Sequence, residues 1–232
     1  MLEQAGWITE TDELSVMDWK TEGATLTCDG RSFEVFSSHY SKGCDVTAEL
    51  VAVNNILQLE DTDIGDKVVL LYGEIARWQI APKNFPFWNP EEHQHLVSVL
   101  EKGNPLALVC ATERNSTLAG GVYPFPLFED GDFDIPSVYM KDTEGEKLLP
   151  YNGRTVKLKS GAERIPETAF NVPGRRNSLM ENRIVVTAHI YTTIYTPGAL
   201  DNGTGLSVVL PLSEVLQHYS GKFPLVLFIL TG

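Results

Sequence analysis

Two residues near the end of the chain have the types and the placing that metal chemistry asks for. His189 directly follows the β-branched apolar run Arg183-Ile-Val-Val-Thr-Ala188. Asp201 lies in the loop Thr196-Pro-Gly-Ala-Leu-Asp-Asn-Gly-Thr-Gly205, just ahead of an apolar helical stretch. An imidazole and a carboxylate are ligands that zinc accepts. The same two residues also have a purely structural reading, in which His189 closes a strand and Asp201 caps the helix by accepting from its free amides. Spacing leaves both readings open.

Other constellations carry less. Glu91-Glu-His93-Gln-His95 is rich in ligand types, but residues two apart on a helix face different directions, so it reads as a solvated face. Asp130-Gly-Asp132-Phe-Asp134 has the look of a calcium loop, yet the glycine falls at the wrong position and Lys141 stands where the twelfth ligand should be. It reads as a polar loop. No GxSxG elbow supports serine catalysis, and Gly203-Thr-Gly205 lacks the third glycine of a dinucleotide fingerprint, with Val208 in its place. Cys28, Cys44 and Cys110 form no CxxC; they allow one disulfide but read as buried, unpaired thiols.

The elements that must position the first pair follow from periodicity. Arg183–Ala188 and Pro224-Leu-Val-Leu-Phe-Ile-Leu230 are runs of the kind buried parallel strands show. Leu206–Tyr219 lies between them, with Leu206, Val209, Leu210, Leu212, Leu216 and Tyr219 on one broad side of a helix. Strand, loop, helix, strand is a βαβ unit of a doubly wound sheet, whose ligands bind beyond the carboxyl ends of the strands. Upstream, short strands are expected at Ser32–Ser37, Glu49–Val53, Lys67–Tyr72, Leu106–Ala111, Ser137–Met140 and Thr155–Leu158. One helix, Pro90–Glu101, separates two of them, and the upstream module is expected to hold one or two helices in all. Met1–Trp7 reads as the last turn of a helix broken at Gly6. The fold class is mixed α/β.

The charge distribution narrows the partners. The chain has 232 residues and a net charge of −13. From Ala162 onward five acids balance five bases, so the excess belongs to residues 1–161, with 26 acids against 13 bases. Such a surface repels phosphate backbones, which excludes nucleic acid as a partner. No apolar run reaches the roughly 18 residues of a membrane span. Met1–Trp7 has neither the basic start nor the apolar stretch of a signal peptide, which favours the cytoplasm.

Ala188-His189 followed by Pro197-Gly-Ala-Leu-Asp-Asn-Gly-Thr-Gly205 resembles the co-catalytic two-zinc exopeptidases, among them bacterial leucyl aminopeptidases, glutamate carboxypeptidase and the catalytically dead transferrin receptor. In that superfamily a strand ends in AHxD and the following loop reads GALDN-small-x-G. Residues 25–160 resemble the protease-associated (PA) domain that many members insert before that strand. This likeness rests on Val46-Thr-Ala-Glu-Leu-Val-Ala-Val53, Gly65-Asp-Lys-Val-Val-Leu-Leu-Tyr-Gly73 and Ile135-Pro-Ser-Val138. The resemblance implies an N-terminal remnant of the peptidase domain in residues 1–24, a PA-like domain in 25–160, and the first half of a zinc-peptidase sheet in 161–232. It implies that His189 binds one zinc, that Asp201 bridges two, and that Asn202, Gly203 and Gly205 form the tight loop, the glycines easing a sharp backbone turn. The implied reaction is removal of N-terminal residues from peptides.

Three departures from the family pattern accompany it. The aspartate of AHxD, which supports a metal-binding histidine, is Tyr191 here. A phenol with an ordinary pKa of about 10 supplies no anion at neutral pH. The family's paired glutamates, a general base and a zinc ligand, follow the strand corresponding to Pro224–Leu230, whereas this chain stops at Thr231-Gly232. Pro211 stands inside the helix. The expectation is therefore a peptidase segment that binds zinc weakly and is inactive alone. Its rival is a non-catalytic PA-type interaction or scaffold protein with a decayed metal site. Pro224–Leu230 is expected to be a bare edge strand through which the peptidase half could form a homo-oligomer.

Overall fold

The computed structural model describes residues 1–77, 80–85, 88–112, 132–176, 182–192 and 197–231. In chain order its strands and helices are β1 (Ile8–Thr9), β2 (Asp12–Cys28), β3 (Arg31–Phe33), β4 (Phe36–Ser37), β5 (Cys44–Val53), α1 (Ile56–Asp61), β6 (Val68–Leu71) and α2 (Glu91–Gly103). There follow β7 (Ala107–Thr112), β8 (Ser137–Lys141), α3 (Asp142–Leu148), β9 (Thr155–Arg175), β10 (Ile184–His189), α4 (Thr204–Val215) and β11 (Leu225–Leu230). Two compact units emerge, one from Met17–Ile165 and one from Met1–Val16 together with Pro166–Gly232. No helix among the described residues is long and apolar enough to cross a membrane.

In the unit Met17–Ile165 the strands run in the order β9-β5-β6-β7-β8-β4. The pairs β5–β6, β6–β7 and β7–β8 are parallel, while β4–β8 and β5–β9 are antiparallel. All of β6 and β7 is buried, because this sheet is covered on both faces. Val69, Leu71 and Leu108 meet Leu59 of α1 and Leu96 and Leu100 of α2 on one side. Val68, Leu70 and Val109 meet Leu26, Phe33 and Leu148 on the other. A strand buried on both faces has no polar face to alternate with, hence the continuous apolar runs. Asn55 caps α1, its side chain accepting from the Gln58 amide. Asn104 ends α2 in the left-handed conformation, at φ 50°.

Three sequence expectations need correction here. Among the described residues the unit holds three α-helices rather than one or two, α1 and α3 being additional. Ser32–Ser37 divides into β3 and β4. Of the long strands, the sequence predicts only Thr155–Leu158 of β9 and nothing of β2. In β2 most residues are exposed or half-buried, so backbone pairing rather than a buried face holds it, and no apolar alternation announces it. Met1–Trp7 contains a single 3₁₀ turn, Glu3–Ala5, closed by Gly6 at φ 80°.

In the second unit the order is β10-β11-β9-β1. Strands β10 and β11 are parallel neighbours, with Ile184 opposite Leu225 and His189 opposite Leu230. Residues 172–175 of β9 lie antiparallel against the other side of β11. The expected bare edge at Pro224–Leu230 is thus wrong, because β11 is flanked on both sides. Among the described residues of this unit the strands paired on one side only are β10 and the two-residue β1. Helix α4 packs Val209, Leu206 and Leu212 against Leu227, Ile229 and Ala188. Trp7 fills the same core, and its indole N–H donates to the Ser213 carbonyl at 2.9 Å. The helix continues through Pro211 and passes into the 3₁₀ turn Leu216–His218, so Tyr219 falls outside it and is exposed.

Candidate metal centre

His189 is the last residue of β10, at the carboxyl end of two parallel strands. The loop before α4 is set by local hydrogen bonds. Gly198 adopts φ 62°, where a Cβ would be strained, and its carbonyl accepts from the Gly203 amide at 2.8 Å. Asn202, not Asp201, acts as the helix cap: its side-chain oxygen accepts from the Gly205 amide at 3.0 Å. This leaves the Asp201 carboxylate free. The Asp201–Asn202 peptide is cis.

The freed carboxylate meets the strand end. Asp201 Oδ1 lies 2.9 Å from His189 Nε2, with side-chain exposures of 88% and 29%. The other ring nitrogen, Nδ1, lies 3.1 Å from the main-chain oxygen of Tyr191. Carbonyl and carboxylate oxygens both only accept, so a neutral ring, with one N–H, donates to one of the two, and the tautomer decides which. The ring nitrogen without a hydrogen is the one that can bind a metal ion.

The donor set therefore fits zinc in kind. Imidazole nitrogen and carboxylate oxygen both bind it at roughly 2.0–2.2 Å, and the position of Asp201 ahead of α4 suits an anion. It does not fit in number, since a zinc site takes three or four protein ligands. No group of three or more metal-ligating side chains occurs among the described residues.

The glycines of the loop act through space rather than through backbone freedom. Gly203 has an ordinary helical conformation, at φ −56°. A Cβ on Gly205 would stand 2.3 Å from Asn202 Oδ1, inside the cap itself. Tyr191 stacks its ring on His189, with centroids 4.6 Å apart and planes tilted by 36°. Sequence reasoning missed the role of its carbonyl, which no side-chain pattern announces. The Pro197-Gly198 dipeptide was the legible signal for the turn.

The weaker constellations are not brought together. His93 accepts from the Ala81 amide through Nδ1 at 3.0 Å, whereas His95 Nε2 pairs with Glu60 at 2.7 Å. Asp134 is paired with Lys42 and Arg164, whose hydrogen bonds hold its carboxyl below the usual range. Asp130 and Gly131 of that run lie outside the described residues. All three cysteines are free thiols, and burial pushes the Cys110 thiol far up.

Comparison with known proteins bears on the same end of the chain. Residues 170–232 match peptidase family M28. Aminopeptidase YwaD of Bacillus subtilis (strain 168) is 34% identical over 92 residues, which are 40% of this chain and 20% of that protein. Two solved structures share the fold. An aminopeptidase from Aneurinibacillus sp. strain AM-1 superposes with a TM-score of 0.71 at 21% identity, over 98% of this chain and 54% of that one. BSAP, a zinc aminopeptidase from Bacillus subtilis, gives 0.69 at 21% identity, over 98% and 52%. The chain spans about half the length of these structures and a fifth of the curated relative. Residues 170–232, which hold the loop motif, are thus similar to peptidase family M28, and the mixed α/β fold of the chain is shared with these two aminopeptidase structures.

Proposed function

We propose that this chain is part of a zinc aminopeptidase that removes N-terminal residues from peptides. The observation that carries the reading is the 2.9 Å approach of His189 Nε2 and Asp201 Oδ1 beside the parallel strand ends, within the stretch that matches peptidase family M28. In this reading His189 and Asp201 would be the side chains that hold zinc, with Asp201 serving two ions. Asn202, Gly203 and Gly205 hold the loop that presents Asp201. When bound, two such ions activate water and polarise a scissile carbonyl. The protein's own contribution is to aim Nε2 and Oδ1 at one point. The unit Met17–Ile165 takes the part of the PA-like module, with the N-terminal residues and the unit's counterpart forming the peptidase portion.

Two ligands hold an ion weakly, so the chain by itself is expected to bind zinc loosely and to turn over no peptide. Cobalt(II), which reports its ligands in the visible spectrum, provides the test. Weak binding that disappears in His189→Ala and Asp201→Asn is the expected result. Binding unchanged in both variants would sink the reading, and turnover of an aminoacyl-anilide abolished by His189→Ala would sink the inactivity.

One observation favours a second reading, a non-catalytic interaction protein. Where the family pattern has a carboxylate, His189 meets the neutral carbonyl of Tyr191 and an exposed phenol ring. Cobalt binding absent altogether would support it. Self-association through the peptidase half also belongs here, now by way of β10, whose Ile184 and Val185 are 43% and 47% exposed. A sedimentation coefficient that rises with protein concentration is expected, and a concentration-independent monomer would exclude it.

A further inference from the structure

We propose that the uncovered face of the sheet β10-β11-β9 is a self-association surface, on which a second copy of this chain stacks so that Arg183 of each copy pairs with Asp12 of the other copy. The inference does not use the metal site. It also differs from pairing along the β10 edge, which would engage main-chain groups and neither of these charges. Residues opposite one another in neighbouring strands point to the same side of a sheet. Leu227 and Ile229 share the side that α4 and Trp7 cover. Val226 and Phe228 point the other way, together with their partners Val185, Arg175 and Pro173. None of these five residues joins the core beneath α4. Parallel strands are as a rule covered on both faces, and β6 and β7 in the unit Met17–Ile165 are buried throughout. Strand β10 instead leaves Val185 47% exposed and Thr187 exposed beside it. An apolar face left open in this way marks an interaction surface.

The charges around this face say what fits it. A shallow groove of about 300 Å³ opens there, with Val185, Val226, Phe228 and Pro173 as its apolar floor. Arg183 stands on its β10 side, and Asp12, the first residue of β2, on the far side beyond β9. Arg175, between them, is already paired with Glu10. Arg183 and Asp12 are exposed, and among the described residues neither side chain has a hydrogen bond or an ion pair. A two-fold axis sets a surface against its own copy, so that residue i meets j and j meets i. One free cation and one free anion on opposite rims are complementary under that operation. They give two identical ion pairs around an apolar centre, whereas rims of the same sign would repel. Three strands about 4.8 Å apart make a narrow face, so the dimer is weak and responds strongly to these charges.

The test is sedimentation equilibrium of the wild-type chain, of Arg183→Glu, of Asp12→Arg, and of these two variants mixed in equal amounts. Wild type should dimerise reversibly. Each single reversal sets like charges opposite each other twice and should weaken dimerisation about 10-fold, with two exposed pairs lost and two repulsions gained. The mixture should recover wild-type association, because each copy then offers the charge that the other needs. Val185→Asp, which puts a carboxylate in the middle of the apolar floor, should abolish the dimer. All three positions are exposed, and thermal midpoints verify that each variant folds. A wild type that stays monomeric at every concentration would overturn the inference. So would a dimer that both single reversals leave intact, which is how edge pairing would behave, or a mixture that associates no more tightly than its components.

Discussion

Adjacent residues of the loop before α4 divide two tasks, Asn202 closing the helix and Asp201 facing His189. The division depends on Gly205, because a Cβ there would occupy the space of the Asn202 amide, at 2.3 Å from Oδ1 and 2.6 Å from Nδ2. Gly205→Ala should therefore displace the cap and cost about 1 kcal/mol, the usual worth of such a side chain. Asn202→Ala should cost a similar amount by the same route. The two effects cannot add, since the cap is lost only once. With Asn202 already gone, Gly205→Ala should instead stabilise by about 0.5–1 kcal/mol, through alanine's better helix propensity. Thermal unfolding of the two single variants and the double variant measures this, and additive losses would refute the assignment of the cap.

At the scale of elements, the same close approach recurs in the other unit. Helix α3 carries Gly145 in its interior, where glycine ordinarily weakens a helix. The reason lies across the contact: a Cβ on Gly145 would stand 2.3 Å from the Cβ of Ala111 on β7. Both residues are buried, with no flexible side-chain end to move away. Gly145→Ala should thus destabilise by about 1–3 kcal/mol, against its local propensity, because overpacking outweighs it. Ala111→Gly should recover much of that loss in the double variant, which equilibrium denaturation can check. A Gly145→Ala protein of unchanged or raised stability would show that α3 rides further from β7.

At the scale of the molecule, acidification acts first through two histidines of the unit Met17–Ile165. Burial holds the imidazoles of His39 and His93 below the ordinary histidine value. His93 must also stay unprotonated at Nδ1 to accept from the Ala81 amide. A folded value below the unfolded one means the unfolded chain binds more protons in that window. Stability from these groups is therefore complete above about pH 6.5 and is lost as pH falls from there through the folded values. Carboxylates held low by cations, Asp134 by Lys42 and Arg164 and Glu144 by Lys147, lose their contribution later, below the ordinary carboxylate range. The thermal midpoint should fall between pH 7.5 and 5.5, and the fall should shrink in a His39→Gln, His93→Gln double variant. A midpoint that rises over that interval would contradict the assignment.

What the sequence determined by itself was wherever a residue's chemistry and its neighbours along the chain suffice. Arg183–Ala188 and Pro224–Leu230 were legible as strands because short runs rich in β-branched and apolar residues favour extended backbone. Only β11 is buried, however, and β10 leaves Ile184 and Val185 43% and 47% exposed. Pro197-Gly198 had to turn. The motif that joins His189 to Asp201 was legible for the same reason, as both lie at ends of elements whose limits are local. Tertiary structure alone decided the rest. Residues 172–175 of β9 cover β11, which leaves β10 as the edge on that side of the sheet, a pairing set by residues more than 50 positions away. Strand β2 is held by backbone hydrogen bonds, which every sequence can form and none advertises. Helix α3 hid behind Gly145, which only the proximity of Ala111 explains. Which of two neighbouring side chains caps α4, and that a carbonyl rather than a carboxylate stands behind His189, are matters of distance, fixed only once the loop and the strand end have met.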